Sequence, residues 1–156
     1  MYDALWNSAE AGDVKAFERV VNEQNQEFAV NWSNPGKAGL TFLTIASACG
    51  HSNVVSFLLG KGAIVDKPNV DGFTALYGAV NQNHVDTARL LLEKGADPNC
   101  QSSNEEYAFP LYVAAQLNNA EICELLLSFG AYLAISACSS SVAFPSEANS
   151  QNADMS

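Results

Sequence analysis

Positive charge is in short supply in this chain: 7 Lys and Arg stand against 17 Asp and Glu, for a formal net charge of −10. A phosphate backbone or an anionic membrane surface needs clustered Lys and Arg, so neither nucleic acid nor a membrane is expected as the main partner. No apolar run reaches transmembrane length, and the N-terminus MYDALWNSAEAGD lacks the basic and apolar regions of a secretory signal. The expected location is therefore the cytoplasm, with the nucleus left open. Cysteines are few and unpaired in spacing: Cys49, Cys100, Cys123 and Cys138 form no CxxC or ribbon pattern. Cys123, inside a Leu-rich helical pattern, is expected to be a small core residue. Only two histidines occur, His51 and His84. No pair of Cys or His has metal-ligand spacing, Gly60-Lys61-Gly62 is no phosphate-binding loop, and no nucleophile sits on a strand-turn-helix elbow. Neither catalysis nor a metal or cofactor site is expected.

What the chain does have is repetition. Asn69 to Asn99 reads as one unit. Asp71-Gly72 forms a turn, Thr74 caps a short helix carrying Leu76, Ala79 and Val80, and a second helix carries Val85, Ala88, Leu91 and Leu92. Gly95 then closes the unit in the position of a left-handed C-terminal residue. Gly62 to Gly95 is 33 residues and Gly95 to Gly130 is 35; Leu43, Leu76 and Leu111 keep the same two intervals, as do Leu58, Leu91 and Leu126. Helices this short are unstable alone, so each unit must bury its apolar side against its copies. His51 and His84 recur with the period, which gives them a structural role, each expected to hydrogen-bond the adjoining turn. Asp66 and Asp97 are read the same way, as turn residues.

A turn plus two helices at this period resembles the ankyrin repeat. The resemblance rests on Gly39-Leu-Thr-Phe-Leu-Thr-Ile-Ala46, Asp71-Gly72-Phe-Thr-Ala-Leu-Tyr-Gly-Ala79, Phe109-Pro110-Leu111-Tyr112, and the Gly-Ala pairs at 62, 95 and 130. It implies an all-α solenoid of paired antiparallel helices with turn or β-hairpin fingers. About four units are expected, at 3–30, 31–63, 64–96 and 97–131, within an array spanning 1–135. The first is a capping repeat without a preceding turn. Val142-Ala143-Phe144-Pro145 repeats Tyr107-Ala108-Phe109-Pro110 after 35 residues, so 132–145 reads as half of a fifth unit. The polar stretch 146–156 is expected to be disordered. The family's histidine after Thr-Pro-Leu is absent, removing a side chain that would tie turn to helix. The resemblance also marks Asn99, with Leu91 and Asp97 upstream, as an asparagine open to β-hydroxylation, although Pro98 departs from the preferred residue.

The resemblance implies protein binding, through the turn tips and the exposed side of the first helices on one concave face. Equivalent columns select Lys37, Leu40, Val70, Asp71 and Phe73 at the tips, with Glu105, Glu106 and Tyr107 on the fourth. Asn81, Gln82, Gln116 and Leu117 close the first helices. The turns of the second and fourth units are longer, and Trp32 and Tyr107 are expected to project from them as aromatic anchors. Acids mixed with aromatics suit a basic or amphipathic peptide. The expected function is a monomeric adaptor or targeting module. The alternatives are a substrate-recruiting fragment of a larger enzyme or ubiquitin-ligase receptor, and a bacterial effector acting on a protein in the host cytosol.

Overall fold

The computed structural model describes residues 2–23, 30–103 and 109–132. Among them are eight helices in four pairs: α1 (Tyr2–Ala11) with α2 (Val14–Glu23), α3 (Phe42–Ala48) with α4 (Ser52–Gly60), α5 (Ala75–Asn81) with α6 (Val85–Glu93), and α7 (Pro110–Gln116) with α8 (Ala120–Ser128). The first helices pack in the order α1, α3, α5, α7, and the second helices as α2, α4, α6, α8. The all-α solenoid expected from the period is what the chain forms. The two layers meet over repeated apolar columns: Leu43, Leu76 and Leu111 from the first helices, and Leu58, Leu91 and Leu126 from the second, are all buried. This stacking supplies the stability that seven- and nine-residue helices lack on their own.

Thr41 and Thr74 cap α3 and α5, their hydroxyls accepting from the backbone N–H of Thr44 (3.1 Å) and Tyr77 (3.3 Å). Phe109 cannot cap in this way, and Pro110 starts α7 instead, where its missing N–H costs nothing. The tie between turn and helix, expected to be missing, is rebuilt differently in each unit. Thr44 shares a 3.0 Å hydroxyl contact with Thr41, whereas Tyr77 stacks on Phe73 with ring centres 4.5 Å apart.

Both histidines bind backwards to the preceding unit rather than to the adjoining turn. Nε2 of His51 lies 2.8 Å from the Glu10 carbonyl, and Nε2 of His84 lies 3.0 Å from that of Ala48. A carbonyl only accepts, so Nε2 carries the proton in each. The fourth unit has Asn119 in this column. Its amide reaches the Asn83 side chain while its carbonyl oxygen caps α8 at Ile122.

The fingers stack in the same manner. In the second unit Ser33–Asn34 pairs antiparallel with Leu40–Thr41, in the register Ser33 to Thr41 and Asn34 to Leu40. The third finger is an Asx-type turn in which Asn69 Oδ1 accepts from Asp71 N (3.0 Å) and Phe73 N (2.8 Å). Val70 N donates to the Ala38 carbonyl at 3.0 Å and Ser103 N to that of Asp71 at 2.8 Å, so each finger is held by the one before it. Gly72 is required there: it has φ +80, and a Cβ would stand 2.8 Å from Ser103 N. The expected half-unit beyond Tyr132 and the 146–156 tail lie outside the described residues, as do Glu105, Glu106 and Tyr107 of the fourth finger.

Candidate functional site

The first helices leave a groove of about 240 Å³ between α3 and α5. Leu40 and Phe73 from the fingers close one end, Ile45 and Tyr77 form apolar walls, and Asn81 and Gln82 stand at the other end. Its floor depends on small residues. Gly78 lies so close to α3 that a Cβ would meet the Ala48 Cβ at 3.3 Å. A larger residue at either position would wedge the helices apart or fill the hollow.

Of the residues expected at an interface, the structure gathers Leu40, Phe73, Asn81 and Gln82 into this groove. Gln116 and Leu117 are exposed one unit further along, in the columns of Asn81 and Gln82. Lys37, Val70 and Asp71 are exposed at successive finger tips outside the groove, and Val70 reaches 72% exposure. Trp32 departs from the expectation of a projecting anchor. It is half-buried, lying against Tyr2 (centroids 4.8 Å, planes 7° apart) and Phe42 (5.4 Å). The core of the first two units draws the ring inwards, because burying so large an apolar surface outweighs leaving it in water.

Ala48 was marked by the sequence in the column that closes the first helices, whereas Ile45 and Gly78 were not singled out. The signal was present in the i, i+1 and i+4 spacing of Thr44, Ile45 and Ala48 along one side of α3.

Charge divides between the layers. None of α1, α3, α5 or α7 contains Lys or Arg. Lys15 and Arg19 lie in α2 and Arg89 in α6, while Lys61 and Lys94 follow α4 and α6. Lys67 donates to the Asn31 carbonyl at 2.6 Å. The first-helix layer carries Asp3 and Glu10, and Asp71 sits on the finger beside it.

Behind the fingers, Asn31, Asp66 and Asn99 form one column. Asn31 and Asn99 each donate to a glycine carbonyl, of Gly62 and Gly130, and accept from the N–H two residues on, of Ile64 and Tyr132. Both polar ends of the Asn99 amide are thus engaged. Asp66 accepts from Asp97 N at 3.1 Å but has no donor for a carbonyl. Burial, and then the nearby Asp97 charge, raise its pKa against the opposing hydrogen bonds. Cys100 beside it is pushed up to about 12, chiefly by burial and then by the Asp66 and Asp97 charges. Burial, with Glu10 nearby, also raises Cys49. Such thiols are protonated and poor nucleophiles at neutral pH. Among the described residues no group of His, Cys, Asp and Glu is arranged to hold a metal ion, and no helix is long and apolar enough to cross a membrane.

The family model for ankyrin repeats, in three copies, matches residues 5–102, and a further single-repeat model matches 108–137. Similar proteins include the human ankyrin repeat and KH domain-containing protein 1 (37% identical over 93 residues, 60% of this chain). Human BCL-6 corepressor-like protein 1 is 37% identical over 95 residues, again 60% of this chain, and the Hydra vulgaris tyrosine-protein kinase HTK16 is 33% identical over 94, also 60%. The chain spans only 4%, 5% and 12% of these three relatives. The matched models cover the stacked helix pairs from α1 to α8, and the chain belongs to the ankyrin-repeat family.

Proposed function

We propose that this chain is a recognition module that binds a segment of another protein along its first-helix layer. One large apolar side chain of that segment sits in the groove between α3 and α5, and basic residues beside it meet Glu10 and Asp71. Ankyrin repeats are generally protein–protein interaction modules, which supports the class of function. One observation carries the finer reading: an apolar groove opens on a layer of helices that holds acids and no cation. Apolar burial would supply affinity there and the charge would select the partner.

The test is selection of peptides from a random library on the full chain, followed by titration against Phe73→Ala and Asn81→Arg. Asn81 is exposed at the C-terminal end of α5, where a cation suits the helix dipole, so Asn81→Arg leaves the fold intact. Selected peptides should carry one large apolar residue flanked by Lys or Arg, and each substitution should weaken binding at least about tenfold. Peptides that are acidic, or that bind both variants at full strength, would place recognition elsewhere.

A second reading is favoured by the small share of each relative that the chain matches: the array recruits a substrate to a catalytic or regulatory domain of a longer protein. A native reading frame that joins the array to such a domain, on either side, supports it, and a native frame that encodes the array alone rules it out.

A further inference from the structure

The apolar surface of the first-helix layer continues beyond the groove. Tyr77 and Gln82 line the groove from its α5 side, and Tyr112 and Leu117 stand in their columns on α7. Both are open to solvent, Tyr112 by 40% and Leu117 by 48%. Gln116 Nε2 donates to the Tyr112 hydroxyl at 2.9 Å, which ties the polar end of the ring down along α7. The column of Gly78 continues as Val113, which is buried, so a side chain stands where the groove has its hollow. The layer therefore offers a deep apolar spot between α3 and α5 and a shallow one at Tyr112 and Leu117. Because α3, α5 and α7 pack in that order, the two spots lie one helix spacing apart, about 8–10 Å.

That distance selects the shape of what lies across it. On one side of a β-strand, side chains are about 7 or 13 Å apart, at two or four residues. Polyproline II has three residues per turn and rises about 3.1 Å per residue, so every third side chain returns to the same side after about 9 Å. An α-helix covers about 10 Å in seven residues, but its third or fourth residue then bears on Asn81 of α5. The helix backbone is also hydrogen-bonded internally, whereas polyproline II leaves its N–H and C=O groups free for the exposed amides of Asn81 and Gln82. A tyrosine ring in a shallow apolar spot suits a proline, as in other aromatic-lined grooves that take this conformation. On the footing that the groove takes an apolar side chain, we propose that the bound segment is a polyproline II helix with two apolar anchors three positions apart. The larger anchor fills the groove, and the other, a proline or a residue of similar size, lies on Tyr112 and Leu117. A basic residue beyond the groove anchor, on the side away from Tyr112, meets Glu10, which stands in the Asn81 column on α1.

Peptides selected from a random library on the full chain test this. Their apolar residues should fall three positions apart. Inserting one alanine between the anchors should weaken binding at least about tenfold, and proline at both intervening positions should leave it within about twofold. Tyr112→Ala with Leu117→Ala should weaken binding at least about tenfold, with Tm held within about 2 °C because both residues are exposed. If Tm falls further, the two peptide changes decide, since they leave the protein untouched. Affinity unchanged by the insertion, or abolished by the two prolines, overturns the proposal and points to a helix or a single anchor. So does full affinity for the Tyr112 and Leu117 variant. The groove itself survives those results where Phe73→Ala still weakens binding. Peptides that bind Phe73→Ala at full strength, or a library that yields no binder, remove both.

Discussion

The imidazole of His84 lies flat against Gly50, so close that a Cβ there would stand 2.6 Å from Nδ1. The same ring donates through Nε2 to the Ala48 carbonyl. Histidine and glycine thus form one device that locks the third unit onto the second, and Gly50 also holds φ +76. Gly50→Ala should cost about 2–3 kcal/mol, combining left-handed strain with displacement of the ring. His84→Ala should cost about 1 kcal/mol, the net worth of its hydrogen bond. In the double variant the ring is gone, so the costs should fall short of additive by about 1 kcal/mol in urea denaturation. Full additivity would show that ring and glycine act separately.

Asp66 occupies a column that is asparagine in the units on either side. Asp66→Asn should supply the missing donor to the Gly95 carbonyl and remove a charge facing Asp97, a gain of about 0.5–1 kcal/mol for a half-exposed group. The sign with pH follows from the raised folded-state pKa. The folded chain holds the proton more tightly than the unfolded chain, so the Asp66 contribution is most favourable in acid and is lost as pH rises through the folded value. The stability difference between variant and native protein should therefore grow from about pH 4 to 7. A difference that shrinks over that range would contradict this account.

Ser47 is fully buried in α3, and its hydroxyl has no hydrogen-bond partner. The first and third units place Ala9 and Val80 in this column. Ser47→Ala removes an unsatisfied polar atom with little change in volume, so a gain of about 1 kcal/mol is expected in the urea midpoint. Destabilisation of that size would mean the hydroxyl is satisfied in solution.

Trp32 clusters with Tyr2 and Phe42, and Phe17 meets Phe42 edge-on at 5.5 Å. Trp32→Ala should cost about 2–4 kcal/mol and loosen α1 ahead of the later units. Hydrogen exchange checks both parts. Faster exchange in α1 with α5 to α8 unchanged is the expected pattern, and uniform exchange throughout would contradict it.

The groove separates what was legible from what was not. Leu40, Phe73, Asn81 and Gln82 could be read as neighbours because each sits at a fixed phase of the repeat. Ile45 and Gly78 could not, because the hollow between them exists only where α5 approaches α3 closely enough for Gly78 to face Ala48. That distance is a property of two packed units, and no single unit contains it. The direction of the two histidine bonds was hidden for the same reason: a column shows that a residue recurs, without showing which neighbour it grips.

By itself the sequence determined the helix pairs, their phase and the columns that form the core, since apolar periodicity and glycine position are local properties written once per unit. It also determined the scarcity of cations on the first helices. Tertiary structure alone decided that Trp32 turns inwards and that the groove opens between the second and third units. Each of these depends on which surface burial removes from water, and that is settled only when one unit meets the next.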